Sequence, residues 1–187
     1  MAETATMTRA FGWQADAFEL QGTDGKQHRL ADLRGPKGTL VMFICNHCPY
    51  VKAVIDDVVK DAATLAAEGV ATVAIMPNDT AAYPDDSFDN MKVFARQHGF
   101  DFPYLIDRTQ AVARAYGAVC TPDFFGLDKD LKLQYRGRMY EMASGLKQKP
   151  GAKHELLEAM RQIAATGTAP KEQTPSMGCS IKWRARG

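Results

Sequence analysis

The feature that most constrains this chain is Cys45-Asn-His-Cys48, because it stands where an apolar run ends and a helical pattern begins. Thr39-Leu-Val-Met-Phe-Ile44 reads as a buried strand. From Pro49 to about Ala67, Val51, Val54, Ile55, Val58, Leu65 and Ala66 recur at helical spacing, and Gly69 supplies the stop. A strand that enters a helix through Cys-x-x-Cys places its first cysteine at a helix N-terminus, where unpaired N–H groups and the helix dipole favour a thiolate. The expectation is a redox-active dithiol in which Cys45 attacks a disulfide and Cys48, brought back over the same turn, resolves the mixed disulfide. Pro49 is tolerated in that first turn because its missing N–H would be unpaired anyway. Between the cysteines, Asn46 and His47 are expected to tune the couple. A protonated His47 stabilises the reduced form and places the potential in the upper half of the span from about −270 to about −120 mV.

The bulk composition is compatible with a full core: 187 residues, 45% apolar and 24% charged, a length that predicts one domain. Twenty-three basic against twenty-two acidic side chains leave a net charge of +1, which gives no electrostatic reason to expect nucleic-acid or membrane-surface binding. The longest apolar runs fall far short of the roughly 20 residues needed to span a bilayer. Met1 to Arg9 carries an acid at position 3 and no apolar core of a secretory signal, so a cytoplasmic protein is expected if the chain is complete. Four cysteines, at 45, 48, 120 and 179, are too few for a disulfide scaffold, and in a reducing compartment a close pair points to catalysis or metal binding. Only half of a zinc site is visible, since no second Cys-x-x-Cys or His pair follows. The dithiol carries electrons itself, so neither cofactor nor metal is expected.

Along the chain, Phe18–Leu20 and Gln27–Leu30 flank Gly22-Thr-Asp-Gly25, a hairpin with an Asp-Gly turn. Leu30 to Gly35 reads as a single helical turn. Val70–Met76 is a second buried strand, followed by a turn-rich loop through Asp86 and a helix from Ser87 to His98. Phe102–Ile106 is a strand, Thr109–Tyr116 a helix carrying Val112, Ala113 and Tyr116 inward, and Asp123–Leu127 with Leu131–Tyr135 a hairpin. A last amphipathic helix covers about Ala152 to Ala165, and the tail 167–187 is read as irregular. This order predicts an α/β, three-layer thioredoxin-like fold with a central mixed sheet, a core at about 38–165, an N-terminal hairpin extension at 18–30 and a helical insertion at 87–98.

With these segments placed, the chain resembles the thioredoxin superfamily, in the thioredoxin-like branch of the alkyl hydroperoxide reductase and thiol-specific antioxidant (peroxiredoxin-related) family. The resemblance is carried by Phe18-Glu-Leu-Gln-Gly-Thr-Asp-Gly-Lys, Leu30-Ala-Asp-Leu-Arg-Gly, Phe43-Ile-Cys-Asn-His-Cys-Pro-Tyr, Phe102-Pro-Tyr-Leu-Ile-Asp and Val112-Ala-Arg-Ala-Tyr-Gly. It implies a cis-proline loop at Thr121-Pro122 facing the dithiol, whose backbone pairs with a bound peptide or disulfide. It also implies a disulfide-bearing protein or a small thiol or peroxide as substrate, and a thioredoxin- or glutathione-type reductant. Ile44 stands where thioredoxin has tryptophan. In the peroxiredoxin register Cys45 takes a threonine position and Cys48 the peroxidatic one, so peroxide reduction by Cys48 or Cys45 is the alternative. That activity needs an arginine beside the thiolate, and Arg136 or Arg138 is available if the last strand delivers it.

Cys120, two residues before Pro122, is either a further resolving thiol or a small core filler. Cys179 lies in a tail whose Met177, Ile181 and Trp183 suggest docking, and a Cys120–Cys179 bond is conceivable, although free thiols are expected. Asn78 and Asp79 fall at the carboxyl edge of the sheet but read more simply as turn formers. His28, His98 and His154 have no spaced partners and are expected to be solvated.

Overall fold

The strand before the dithiol and the strand after the long helix lie side by side at the middle of the sheet. The computed structural model describes residues 9–185, so the N-terminal stretch read for a secretory signal lies outside the described residues up to Thr8. The elements are β1 (Glu19–Gly22), β2 (Gln27–Arg29), α1 (Leu30–Leu33), β3 (Gly38–Phe43), α2 (Pro49–Ala67), β4 (Val70–Met76), a 3-10 turn (Pro84–Asp86), α3 (Phe88–Gln97), β5 (Tyr104–Ile106) and α4 (Ala111–Tyr116). There follow β6 (Cys120–Thr121), β7 (Asp123–Leu127), β8 (Leu133–Gly137), β9 (Met142–Ala143), β10 (Lys147–Gln148), α5 (Glu155–Thr166) and β11 (Cys179–Ser180).

Seven strands form one sheet in the order β2-β1-β5-β4-β3-β7-β8. β3 pairs parallel with β4 and antiparallel with β7, and the N-terminal hairpin extends the sheet beyond β5. This is the three-layer, mixed-sheet arrangement that the element order predicts. Period-2 alternation divides the buried strands between two cores. Leu40, Met42, Val70, Ala74, Met76 and Phe124 face α2, α3 and α5, whereas Val41, Phe43, Val73, Ile75, Phe125 and Leu127 face α1 and α4. Each large apolar side chain buried in these layers contributes about 1.5–3 kcal/mol of transfer free energy. Gly126 is required where α5 crosses β7: a Cβ there would stand 2.7 Å from Met160 Sδ. Among the described residues no helix is long and apolar enough to cross a membrane.

Three expectations need correction. The tail is not wholly irregular: β11 pairs antiparallel with β6, with Cys179 opposite Thr121 and Ser180 opposite Cys120. Residues 142–148 hold a small hairpin that no sequence pattern signals. The three histidines expected to be solvated each face a carboxylate: His28 with Asp24 at 3.0 Å, His98 with Asp56 at 3.0 Å and His154 with Asp61 at 3.3 Å. Two of these contacts join residues distant in sequence, so the spacing could not reveal them.

Candidate active site

The dithiol sits on the α2 side of the sheet, in the loop from β3 to α2. Cys45 and Cys48 are both buried, at 1% and 0% exposure, and belong to the same apolar cluster as Val51, Val54 and Phe124. Cys48 is the residue that caps α2, with Pro49 as the first helical residue; Cys45 stands three positions further out. The helix N-terminus therefore acts most directly on Cys48, contrary to the expectation that it activates Cys45.

The Thr121-Pro122 bond is cis, and the loop faces the dithiol as the resemblance implies. Thr121 meets both sulfurs: its hydroxyl lies 3.5 Å from Cys45 Sγ, and its carbonyl accepts from Cys48 Sγ at 3.2 Å. Cys120 is adjacent but turned away, its thiol directed at the Pro122 carbonyl at 3.5 Å. Burial, with the Asp123 carboxylate adding to it, pushes the Cys120 thiol up to about 12. That environment suits a buried filler better than a resolving thiol.

The residues between the cysteines are fixed by a carboxylate that the sequence did not single out. Asp86, fully buried at the end of the 3-10 turn, accepts from the Asn46 N–H at 2.8 Å and from Asn78 Nδ2 at 2.9 Å, and stands 2.6 Å from His47 Nδ1. His47 Nδ1 makes no hydrogen bond of good geometry, so the ring stands against the carboxylate in close approach only. His47 also stacks on Tyr83, with ring centroids 6.0 Å apart. The Asn46 side chain accepts from the buried Tyr104 hydroxyl at 2.8 Å and donates to the Asp85 carbonyl at 3.2 Å. Asn78 does more than form a turn, since its Oδ1 also receives the Lys182 N–H of the tail at 2.9 Å.

These surroundings act in opposite directions on the two thiols. Cys45 is raised above the ordinary thiol range, first by its hydrogen bond to Cys48, then by burial and the nearby Asp86 carboxylate. Cys48 is held down to about 4, first by the hydrogen bond from Cys45, against the opposing effect of burial. The Cys179 thiol and the backbone N–H groups of Val51 and Cys179 also favour its ionised form. The direction for Cys48 agrees with its place at the helix cap, and that for Cys45 agrees with its acidic neighbour. When Cys48 is protonated its hydrogen points at the Thr121 carbonyl; when it is ionised these donors surround it.

Cys45, His47 and Asp86 bring a sulfur, a ring nitrogen and a carboxylate oxygen within 4.8 Å of one another, a set able to hold a metal ion. The missing second Cys-x-x-Cys therefore does not dispose of metal binding, because ligands distant in sequence converge here. Neither arginine considered for peroxide chemistry is directed at the sulfurs. Arg136 pairs with Asp123 at 3.1 Å and donates to the Gly117 carbonyl, while Arg138 is engaged by Glu155 at 2.6 Å. Beside the cis-proline, Tyr50, Val54, Pro122, Phe124, Tyr140 and Met177 line a largely apolar cavity of about 180 Å³.

The model of the AhpC/TSA family matches residues 11–136. The thiol-disulfide oxidoreductase ResA of Geobacillus thermodenitrificans is 31% identical over 132 residues, 67% of each chain. The chain thus spans about two thirds of the length of this curated relative. Among solved structures, an uncharacterized conserved protein from Geobacillus kaustophilus is 43% identical with a TM-score of 0.89, over 95% of this chain and 94% of that one. A hypothetical protein from Sinorhizobium meliloti 1021 is 35% identical with a TM-score of 0.88, over 95% and 97%.

Proposed function

Because this chain belongs to the AhpC/TSA family, we propose that it works as a thiol-disulfide oxidoreductase whose exchanging pair is Cys45 and Cys48. The observation that carries the reading is the convergence of both sulfurs on Thr121, beside Pro122, at a strand-to-helix junction. A disulfide brought to this loop lies against a sulfur that ionises readily and a second one that keeps its proton.

In this reading the order of attack is the reverse of the one expected from helix position. The Cys48 thiolate attacks the substrate disulfide and displaces one sulfur as a thiol. Cys45 then attacks Cys48 Sγ of the mixed disulfide, giving the Cys45–Cys48 disulfide and the second substrate thiol. Two electrons pass to the substrate, and an external dithiol returns them. Asn46, fixed by Asp86 and Tyr104, holds the loop in the geometry that brings the two sulfurs together. Whenever His47 carries a proton it faces the buried Asp86 carboxylate at 2.6 Å, which offsets part of its field at the thiols. That moderates the oxidising character expected from sequence.

A disulfide-bearing protein or small disulfide, and a thioredoxin- or glutathione-type reductant, are the partners this chemistry requires. A cytoplasmic setting is part of this proposal and is checked by fractionation of cells that express the full chain. The peroxide-reducing alternative is less well supported: among the described residues no guanidinium contacts either sulfur, although Cys48 does stand in the peroxidatic register.

Disulfide reduction and peroxide consumption, followed side by side in the wild type, Cys45→Ser and Cys48→Ser with metal content measured, test the reading. Exchange abolished in Cys48→Ser, exchange slowed in Cys45→Ser and no peroxide turnover are the expected results. Peroxide turnover lost only in Cys48→Ser would favour the peroxidase. Stoichiometric metal with neither activity would overturn both.

A further inference from the structure

The backbone of the cis-proline loop already has a partner, and it is the chain's own tail. β11 lies antiparallel to β6 with Cys179 opposite Thr121, the residue whose carbonyl is 3.2 Å from Cys48 Sγ. Directly opposed residues in an antiparallel pair have Cα atoms about 4.5–5.5 Å apart, so this register sets Cys179 beside the dithiol. Its side chain packs against the cluster that contains Cys45 and Cys48.

The placement is built in. Gly178 lies so close to Thr121 that a Cβ would collide with its carbonyl oxygen and with the Pro122 nitrogen. Beyond β11, the Ile181 N–H donates to the Val119 carbonyl at 3.1 Å and the Lys182 N–H to Asn78 Oδ1 at 2.9 Å. Gln110 grips the Lys182 carbonyl and receives the Arg184 N–H, Ile181 is buried, and Trp183 lies under Arg114 at 4.3 Å. Of the four cysteines, Cys179 alone is not fully buried.

We propose that Cys179 is a third redox thiol: it exchanges into the Cys45–Cys48 disulfide at Cys48, and the Cys48–Cys179 disulfide so formed is the one that an external dithiol opens at the protein surface. The proposal rests on the reading of Cys45 and Cys48 as the exchanging pair. In the exchange, Cys179 gives up its proton and attacks Cys48 Sγ. The Cys45–Cys48 bond breaks, and Cys45 departs and takes up a proton. One S–S bond replaces another, with no net oxidation. A thiolate of the external dithiol then attacks Cys179 Sγ and displaces Cys48. The second thiol of the reductant displaces Cys179 in turn, leaving the protein reduced and the reductant oxidised by two electrons. Attack at the less buried sulfur with departure of the one at the helix N-terminus is the favourable direction for such a step.

The test uses the full chain, oxidised with diamide and mapped by mass spectrometry of non-reduced digests. Wild type should yield the Cys45–Cys48 link. Cys45→Ser and Cys45→Ala should yield Cys48–Cys179, lost when Cys179→Ser is added. Reduction of the oxidised protein by dithiothreitol should be about tenfold slower in Cys179→Ser, since the buried pair is then the sole target. A wild type that links Cys45 to Cys48, with Cys45→Ser that links Cys179 to Cys120 or to nothing, would overturn the proposal and leave the oxidoreductase reading standing. An unchanged reduction rate in Cys179→Ser would likewise overturn it. Absence of the Cys45–Cys48 link in oxidised wild type would overturn both.

Discussion

The two sulfurs of the dithiol are three residues apart and share one loop, yet they have opposite surroundings. Cys45 looks toward Asp86, a fully buried carboxylate delivered by the loop after β4. Cys48 looks toward donors: the N-terminus of α2 and the tail strand that carries Cys179. The motif fixes how close the cysteines are. The hydrogen bond between them sets the two thiols apart, and segments roughly 40 and 130 residues further along the chain add to the difference, because electrostatic influence follows distance in space.

The strongest way to break this contrast is to titrate it. Thiolate absorbance in the reduced protein should persist at neutral pH and disappear only near pH 4, and Cys48→Ser should remove that signal. The sign for stability follows. Cys48 is depressed on folding, so its contribution is full above the ordinary thiol value of about 8.5 and is lost as pH falls toward 4. Cys45 is raised, so its contribution is present below that value and is lost as pH rises above it. The pair's contribution to the stability of the reduced protein should therefore be greatest near pH 8 to 9, as read from denaturant midpoints across pH.

A smaller effect is expected from Gly178→Ala, which forces β11 away from Thr121. Cys48 should then be alkylated about tenfold faster, with stability reduced by about 1–3 kcal/mol. Unchanged alkylation would mean that the tail does not shield the dithiol. Asp86→Asn acts on the other sulfur: with the carboxylate gone, Cys45 should ionise at lower pH than in the wild type. The pH dependence of Cys45 alkylation measures that shift, and an unchanged profile would remove Asp86 from the electrostatic argument. The least effect belongs to Tyr104→Phe, which deletes the hydrogen bond to Asn46 and should cost about 1 kcal/mol in chemical denaturation with little change in potential.

Much of the fold was legible because its elements are defined by local patterns. α2 and β4 have the bounds expected from apolar spacing and Gly69, and Ser87 caps α3 by accepting from the Asn90 N–H. The dithiol and the Thr121-Pro122 loop were also legible, the first from the strand-to-helix context and the second from family resemblance. Asp86 was not. In sequence it is one of two aspartates after Tyr83-Pro, an ordinary turn signal, and nothing local says that it will be buried against Asn46, His47 and Asn78. Cys179 was visible as a cysteine in a tail with apolar residues, but its partner depends on the β6–β11 register, which no periodicity in a two-residue strand can specify.

The sequence by itself determined that Cys45 and Cys48 share one turn at the end of a buried strand, because spacing and helix phase are local properties. The tertiary structure alone decided which of the two faces an acid and which faces donors. It also brought a third sulfur to Cys48, because buried charge and strand register depend on which distant segments the fold makes neighbours.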